Sequence, residues 1–173
     1  YSNPQLYDSI HANYKWDYAL IENFAKKYGG PVLELASGTG RLAIPILKLR
    51  LDYTGLELNG IFLKEAKNKI KRSADFILGD MRNFHLESSF NFIFIGFNSF
   101  LHNLSIKDAK SCLKCVLNHL SPKGKFLLST FIPNTEFLYR DAKKLYPATD
   151  FFEFENSKCR ILERNDYNSD SQI

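Results

Sequence analysis

Three carboxylates and one histidine stand where they could do chemistry. Glu34 lies four residues before Gly38 in VLELASGTGRL, Glu57 nineteen residues after it, Asp80 at the end of DFILGD, and His102 in GFNSFLHN. Gly38 and Gly40 leave the backbone bare between two hydrophobic runs, so a ligand can approach the main chain closely there. A carboxylate about twenty residues beyond such a turn can accept hydrogen bonds from both ribose hydroxyls of a nucleoside-type cofactor. A pyrophosphate would need its anion over the N-terminus of the following helix, and Glu34 would crowd that anion. An acid in that place suits a ligand that brings an ammonium group into the turn. His102 is the best-placed neutral-pH base, able to take a proton from a hydroxyl or a protonated amine. A lone histidine can equally be structural.

These residues are useful only if strands and helices bring them to one edge. PVLEL reads as a short buried strand and RLAIPILKL as a helix, with Pro45 in its early turns where a missing N–H costs least. The alternation continues: DYTGLEL strand, IFLKEAKNKIK helix, DFILGD strand, FNFIFIGF strand, IKDAKSCLKCVLNHL helix and GKFLLSTF strand, with Pro122 and Gly124 marking a turn before the last. Ahead of them WDYALIENFAKKYGG is a helix stopped by Gly29 and Gly30. Strands that are hydrophobic without alternation, separated by helices, predict an α/β fold with a mostly parallel, doubly wound Rossmann-like sheet covered on both faces. Its glycine turn lies at the carboxyl edge, where helix N-termini offer unpaired N–H groups.

At 173 residues with 45% hydrophobic content the chain reads as one domain. The expected division is an N-terminal helical segment over residues 1–30, which the family resemblance given below implies closes over the site, a cofactor-binding core over 31–131, and an acceptor-side region with partial C-terminal strands over 132–173. Beyond Thr130 the texture shifts to more charge and more aromatics; SKCRILER looks like a strand and NDYNSD like a turn into a partner strand at Gln172 and Ile173. Such an edge would be incomplete or paired with another chain, so a homodimer is one expectation. No stretch is apolar enough to span a bilayer and no signal-like N-terminus is present, so a cytoplasmic protein with no membrane partner is expected. Cys112, Cys115 and Cys159 make no disulfide framework. The C-x-x-C falls inside a helical pattern without a second pair, so buried helix cysteines are favoured and no metal site is expected. A net charge of +4 is too small to imply a nucleic-acid partner by itself, and the lysines of KEAKNKIKR suit a solvated helix end.

E-L-A-S-G-T-G-R, followed by Gly55-Leu56-Glu57 and Leu78-Gly79-Asp80-Met81, resembles the class I S-adenosylmethionine-dependent methyltransferases, and most closely their small-molecule branch, over about Tyr7 to Gln172. The resemblance implies that Glu34 serves the methionine ammonium, that Ala36, Gly38 and Gly40 line the methionine portion, and that Glu57, with Leu58 after it, holds the ribose. It also implies that Asp80 lies beside the adenine amino group, with Met81 flanking the ring. Alone, Asp80 could equally be a cap or turn residue. The family's usual Gly is Ala36 here, and its frequent Cys is Ser37; neither departure threatens binding.

The implied reaction is methyl transfer from S-adenosylmethionine to a small-molecule N or O acceptor, with S-adenosylhomocysteine as product. An in-line displacement asks the protein to hold the reacting atoms about 3 to 3.5 Å apart and collinear. Aromatic faces can steady the sulfonium by about 0.5 to 2 kcal/mol each. Tyr7, Tyr14, Trp16, Phe97 and Phe100 are candidates, with Tyr14 preferred and Phe97 and Phe100 equally able to be core. Asn98 could contact cofactor or acceptor. GFNSFLHN departs from the Asn-Pro-Pro-Tyr type of nucleic-acid amino methyltransferases, which argues against a base as acceptor. The alternatives are an NAD-dependent oxidoreductase, for which little chain remains to build a second nucleotide-binding half, and a non-catalytic cofactor-binding module.

Overall fold

The computed structural model describes residues 2–71 and 74–170. Its elements are α1 (Pro4–His11), α2 (Trp16–Tyr28), β1 (Val32–Leu35), α3 (Ala43–Lys48), β2 (Tyr53–Glu57), α4 (Gly60–Lys69), β3 (Ala74–Leu78), β4 (Phe90–Ile95), a 3-10 turn at Ser99–His102, α5 (Ile106–His119), β5 (Leu120–Leu128), α6 (Thr135–Leu138) and four short strands, β6 (Tyr146–Pro147), β7 (Phe152–Phe154), β8 (Ser157–Cys159) and β9 (Leu162–Glu163). They divide into two compact units, residues 2–4 with 14–130, and residues 5–13 with 131–170.

The first unit is a five-stranded sheet in the order β3-β2-β1-β4-β5, every neighbouring pair parallel. Its alternation is hidden in the sequence because both faces are apolar. Val32, Tyr53, Phe92 and Phe94 pack with Ile21, Ala25, Ala43, Ile46 and Ala66 of α2, α3 and α4. Leu33, Leu35, Leu56, Ile93 and Ile95 pack on the opposite face with Cys112 and Val116 of α5. With side chains alternating along a strand, Glu34 falls on the same face as Val32, a place where the pattern calls for an apolar residue. The chain order reverses direction between β1 and β4, and the crevice beyond the carboxyl ends of those strands is the topological switch point of such a sheet.

Helix stops follow from local chemistry. α2 ends at Gly29, which takes φ 72° while its N–H bonds Ala25 O at 2.8 Å. Asn59 caps α4 by accepting from Ile61 and Phe62 N–H, and Ser105 caps α5 by accepting from Asp108 N–H. The turn expected at Pro122 and Gly124 is instead absorbed into β5. The strand begins at Leu120 opposite Phe90, then shifts register so that Lys125 faces Phe92. Pro122 is tolerated because β5 is an edge strand. Cys112 and Cys115 lie inside α5 as expected, and burial pushes the Cys112 thiol up to about 11.

The second unit carries α1, α6 and two small antiparallel sheets, β6 with β9 and β7 with β8. The single strand expected over SKCRILER is two strands in two different sheets. The hairpin turn is Glu155-Asn156, both at positive φ (48° and 60°) between the paired Phe154 and Ser157, the geometry of a two-residue primed turn. Arg140 organises this unit: its guanidinium lies over Phe137 at 4.4 Å and Tyr146 at 4.6 Å, donates to Glu163 at 2.9 Å, and bonds Asn165. Among the described residues none of these four strands joins the five-stranded sheet, which ends at β5. The partner strand expected at Gln172 and Ile173 lies outside the described residues.

Candidate functional site

The turn between β1 and α3 is held by strand β2. Ser37 N–H bonds Leu56 O at 3.0 Å, and Gly40 N–H bonds Ser37 O at 3.0 Å. Glu57, at the end of β2 and only 9% exposed, accepts from Gly38 N–H through Oε2 and from Asn59 N–H through Oε1, both at 2.8 Å. Each carboxylate oxygen keeps further acceptor capacity, so Glu57 can brace the turn and still receive hydroxyl donors.

The two glycines do different work. Gly38 sits at φ 57° with open space where a Cβ would stand, so its bareness faces outward. Gly40, at φ 81°, has Ile70 Cδ1 2.7 Å from that point and Phe76 Cζ 3.2 Å, so it is bare because α4 and β3 press against it. A side chain is thus excluded at Gly40 by the fold itself, and at Gly38 only by the left-handed backbone. Gly55 is notched for the same turn: a Cβ there would meet Ser37 Oγ at 2.8 Å. Ala36 takes φ 57°, a left-handed conformation that costs an L-residue about 1 to 2 kcal/mol. That cost explains why glycine would be comfortable at this position.

Beneath the turn Glu34 is 3% exposed and accepts a hydrogen bond from the Tyr53 hydroxyl. Burial pushes its carboxyl up to about 8, against the opposing pull of the Tyr53 hydrogen bond and the Arg41 charge, and Glu57 adds to the rise. Tyr53 is raised in turn, first by burial and then by Glu34. Glu34 and Glu57 thus act on one another across the base of the same turn, and a cation arriving there would favour the charged form of Glu34.

Beside the turn, Arg41 donates to Asp17 Oδ1 at 2.8 Å and Oδ2 at 2.6 Å, and to the Tyr14 carbonyl at 2.8 Å. Its guanidinium lies over Phe97 at 5.1 Å and Tyr18 at 5.5 Å. The Tyr14 ring meets Phe97 edge-on at 5.2 Å and Trp16 at 6.1 Å. Phe97 and Asn98, just past β4, are both left-handed (φ 52° and 63°), which turns the chain sharply into Ser99–His102. Tyr14 and Phe97 therefore meet at Arg41, next in the chain to Gly40, and Asn98 follows Phe97 in the chain. Asp17 and Arg41 were not anticipated; a buried acid in a first helical turn and an arginine beside the glycines are the only sequence signals for them. Tyr7 and its neighbour His11, 4.2 Å apart, belong to the other unit.

Asp80 lies just past β3, but its carboxylate is occupied by Arg82, which donates from Nη2 at 2.6 Å, from Nε at 2.9 Å and from its backbone N–H at 2.8 Å. The Arg82 hydrogen bonds hold Asp80 below the usual carboxylate range. Met81 packs against the α5-side core and its sulfur receives the Asn103 amide at 3.7 Å. Phe100 packs on the same core, Leu58 is exposed, and His102 is exposed on the 3-10 turn. Among the described residues no three His, Cys, Asp or Glu side chains are grouped to hold a metal.

A family model described as a methyltransferase domain matches residues 32–124, more than half of the chain. The chain belongs to the methyltransferase-domain family. Its five-stranded order is the Rossmann-like sheet of that fold. The Bacillus subtilis (strain 168) protein YqeM, which bears a methyltransferase name, is 26% identical over 150 residues, covering 79% of this chain. The methyltransferase domain described here spans 60% of that relative's length. Among solved structures, the glycopeptide N-methyltransferase MtfA complexed with sinefungin is 28% identical with a TM-score of 0.58, over 87% of this chain and 66% of that one. The amino pentose methyltransferase CalS10 of Micromonospora echinaspora, solved with S-adenosylmethionine bound, superposes with a TM-score of 0.74 at 19% identity, over 95% of this chain and 70% of that one, a likeness of fold.

Proposed function

We propose that this chain binds S-adenosylmethionine at the glycine turn and transfers its methyl group to a nitrogen or oxygen of a small molecule. One observation carries the reading: an outward-facing bare turn at Gly38 has a carboxylate braced by backbone N–H groups, Glu57, on one side and a buried carboxyl, Glu34, beneath it. The donor set fits the cofactor, since two acids converge where an ammonium and a pair of hydroxyls must be received. A diphosphate would meet the Glu57 carboxylate with repulsion and gain no favourable charge from Glu34.

When bound, S-adenosylmethionine supplies an electrophilic methyl on a sulfonium. In this reading Glu57 accepts from the ribose hydroxyls with the lone pairs that Gly38 and Asn59 leave open, and Leu58 borders it. Glu34 provides negative charge toward the methionine ammonium. Gly38 and Ala36 allow close approach of the methionine chain, while Gly40 sets the curvature that makes this possible. Tyr14 and Phe97 offer ring faces beside the turn, and Asn98 a polar contact. Asp80 and Met81 flank the adenine end, where Asp80 has to share its carboxylate with Arg82. His102 accepts the acceptor's proton.

MtfA and CalS10 are described as acting on a glycopeptide and an amino pentose, which supports a small-molecule acceptor for a chain of this fold. Parallel calorimetric titration with S-adenosylmethionine, S-adenosylhomocysteine and NAD tests the cofactor. The first two bind and NAD does not. Glu57→Ala weakens S-adenosylmethionine by about 1.5 to 3 kcal/mol, the scale of charged hydrogen bonds; unchanged affinity removes the ribose role. An acceptor screen with radiolabelled methyl distinguishes an active enzyme from a binding module.

A further inference from the structure

The Asp17–Arg41 pair is the most buried side-chain ion pair among the described residues, at 8% and 14% side-chain exposure. Nothing in the reading above uses it. It joins the first turn of α2 to the residue that follows Gly40. The rest of α2 is already anchored without it: Ile21 and Ala25, one and two turns further on, are 2% and 0% exposed in the core. The pair therefore governs where the free end of α2 lies rather than whether the helix packs.

We infer that Asp17 is a positioning residue: through its two-point grip on Arg41 it sets Tyr14 and the glycine turn in the arrangement that receives the cofactor. The inference rests on the cofactor reading above. The chain of contacts is continuous. Both Asp17 oxygens are taken by separate guanidinium nitrogens, so the plane of Arg41 is fixed as well as its distance. The same Nη1 that meets Asp17 also holds the Tyr14 carbonyl. That bond sets the backbone from which the Tyr14 ring reaches Phe97, and the guanidinium covers the Phe97 ring from another side. Arg41 is also bonded in sequence to Gly40, whose carbonyl accepts from Ala43 N–H at 3.2 Å, so a shift of Arg41 is felt directly in the turn. Asp17 also stands in the first turn of α2, where the positive end of the helix dipole favours an acidic side chain. A lysine at 41 keeps the charge but loses the planar fork, and with it the fixed orientation.

The test compares wild type, Asp17→Asn, Asp17→Glu and Arg41→Lys by S-adenosylmethionine titration, with emission of Trp16, the chain's single tryptophan, followed in parallel. Trp16 precedes Asp17 and its ring lies 6.1 Å from Tyr14, so it reports the position of this helix end. Asp17→Asn and Arg41→Lys each weaken binding at least tenfold and shift the ligand-free Trp16 emission, while far-UV circular dichroism stays at the wild-type value. Asp17→Glu recovers part of the affinity. Binding within twofold of wild type in both variants overturns the inference, as does a loss of stability with unaltered affinity in the folded protein. If Asp17→Asn does not fold, Arg41→Lys alone decides. A wild type that fails to bind sinks the cofactor reading and the positioning role of Asp17 with it, an outcome distinct from variants that bind as well as wild type.

Discussion

The two ends of the candidate site are built on different principles. At the β1–β2 end the polar groups are buried and held by the sheet: Glu57 grips two main-chain N–H groups, and Glu34 accepts from the Tyr53 hydroxyl of the neighbouring strand. At the β3–β4 end they lie nearer solvent: half-buried Asp80 is gripped by the Arg82 side chain and backbone N–H, and exposed His102 rides on a short 3-10 turn. Buried groups held by the sheet define a geometry that hardly adjusts, whereas ion pairs nearer solvent exchange partners at little cost. A rigid end suits the part of a ligand that does not vary, and an adaptable end suits contacts that have to be made and released.

Four substitutions break or sharpen this contrast, in descending order of their effect on folding. Gly40→Ala drives a Cβ to 2.7 Å from Ile70 at a left-handed φ, and is expected to cost about 2 to 4 kcal/mol in urea denaturation. Gly38→Ala meets open space and should cost only the backbone term, about 1 to 2 kcal/mol, while harming cofactor binding more than Gly40's neighbours would suggest. Equal costs for the two glycines would mean that the turn yields to crowding.

Glu34→Gln comes next, and its effect depends on pH. The unfolded chain ionises Glu34 from about 4.5, whereas the folded protein keeps it neutral up to about 8. The raised folded value means that the stability from the neutral group is complete below 4.5 and is lost as pH rises toward about 8. The expected slope in the ligand-free protein is up to about 1.4 kcal/mol per pH unit across that window. Glu34→Gln flattens it, and denaturation midpoints collected over the window check this; a wild type with no slope would place the charge of Glu34 in water. The smallest effect on folding belongs to His102→Ala, at the adaptable end. It should leave stability and cofactor affinity unchanged while turnover falls by about 100-fold, the lower range for a lost general base. Undiminished turnover would make His102 structural.

The contrast also explains what could be read from the sequence. The strand, turn, helix, strand series from Pro31 to Glu57 was legible because each element is announced by adjacent residues: an unbroken apolar run, two glycines, an amphipathic stretch, and an acid at the next strand's end. Topology placed the segment of Phe97 and Asn98 past the carboxyl end of β4, and family resemblance singled out Tyr14; the meeting of Tyr14 and Phe97 at Arg41 is a finding of the structure. The grip of Arg41 on Asp17 was not legible either, because it spans 24 residues and depends on how α2 meets the sheet. The capture of Asp80 by Arg82 was two residues away, but pairing at that spacing depends on the turn at Asp80–Asn83, which no local pattern prescribes. The distinction between Gly38 and Gly40 was equally hidden: both are left-handed, and only the neighbours Ile70, Phe76 and Ala66 separate them. In the second unit, strands of two or three residues with Arg140 at their centre leave no periodicity long enough to read.

The notch at Gly55 gives the molecule a mould from below. Since Ser37 occupies the volume that any side chain at 55 would need, the height of the bare turn above the sheet is set by the neighbouring strand and not by the turn's own residues. Filling that notch with even a methyl group would lift the loop like a shim under a plate, altering reception of a ligand without touching one residue that meets it.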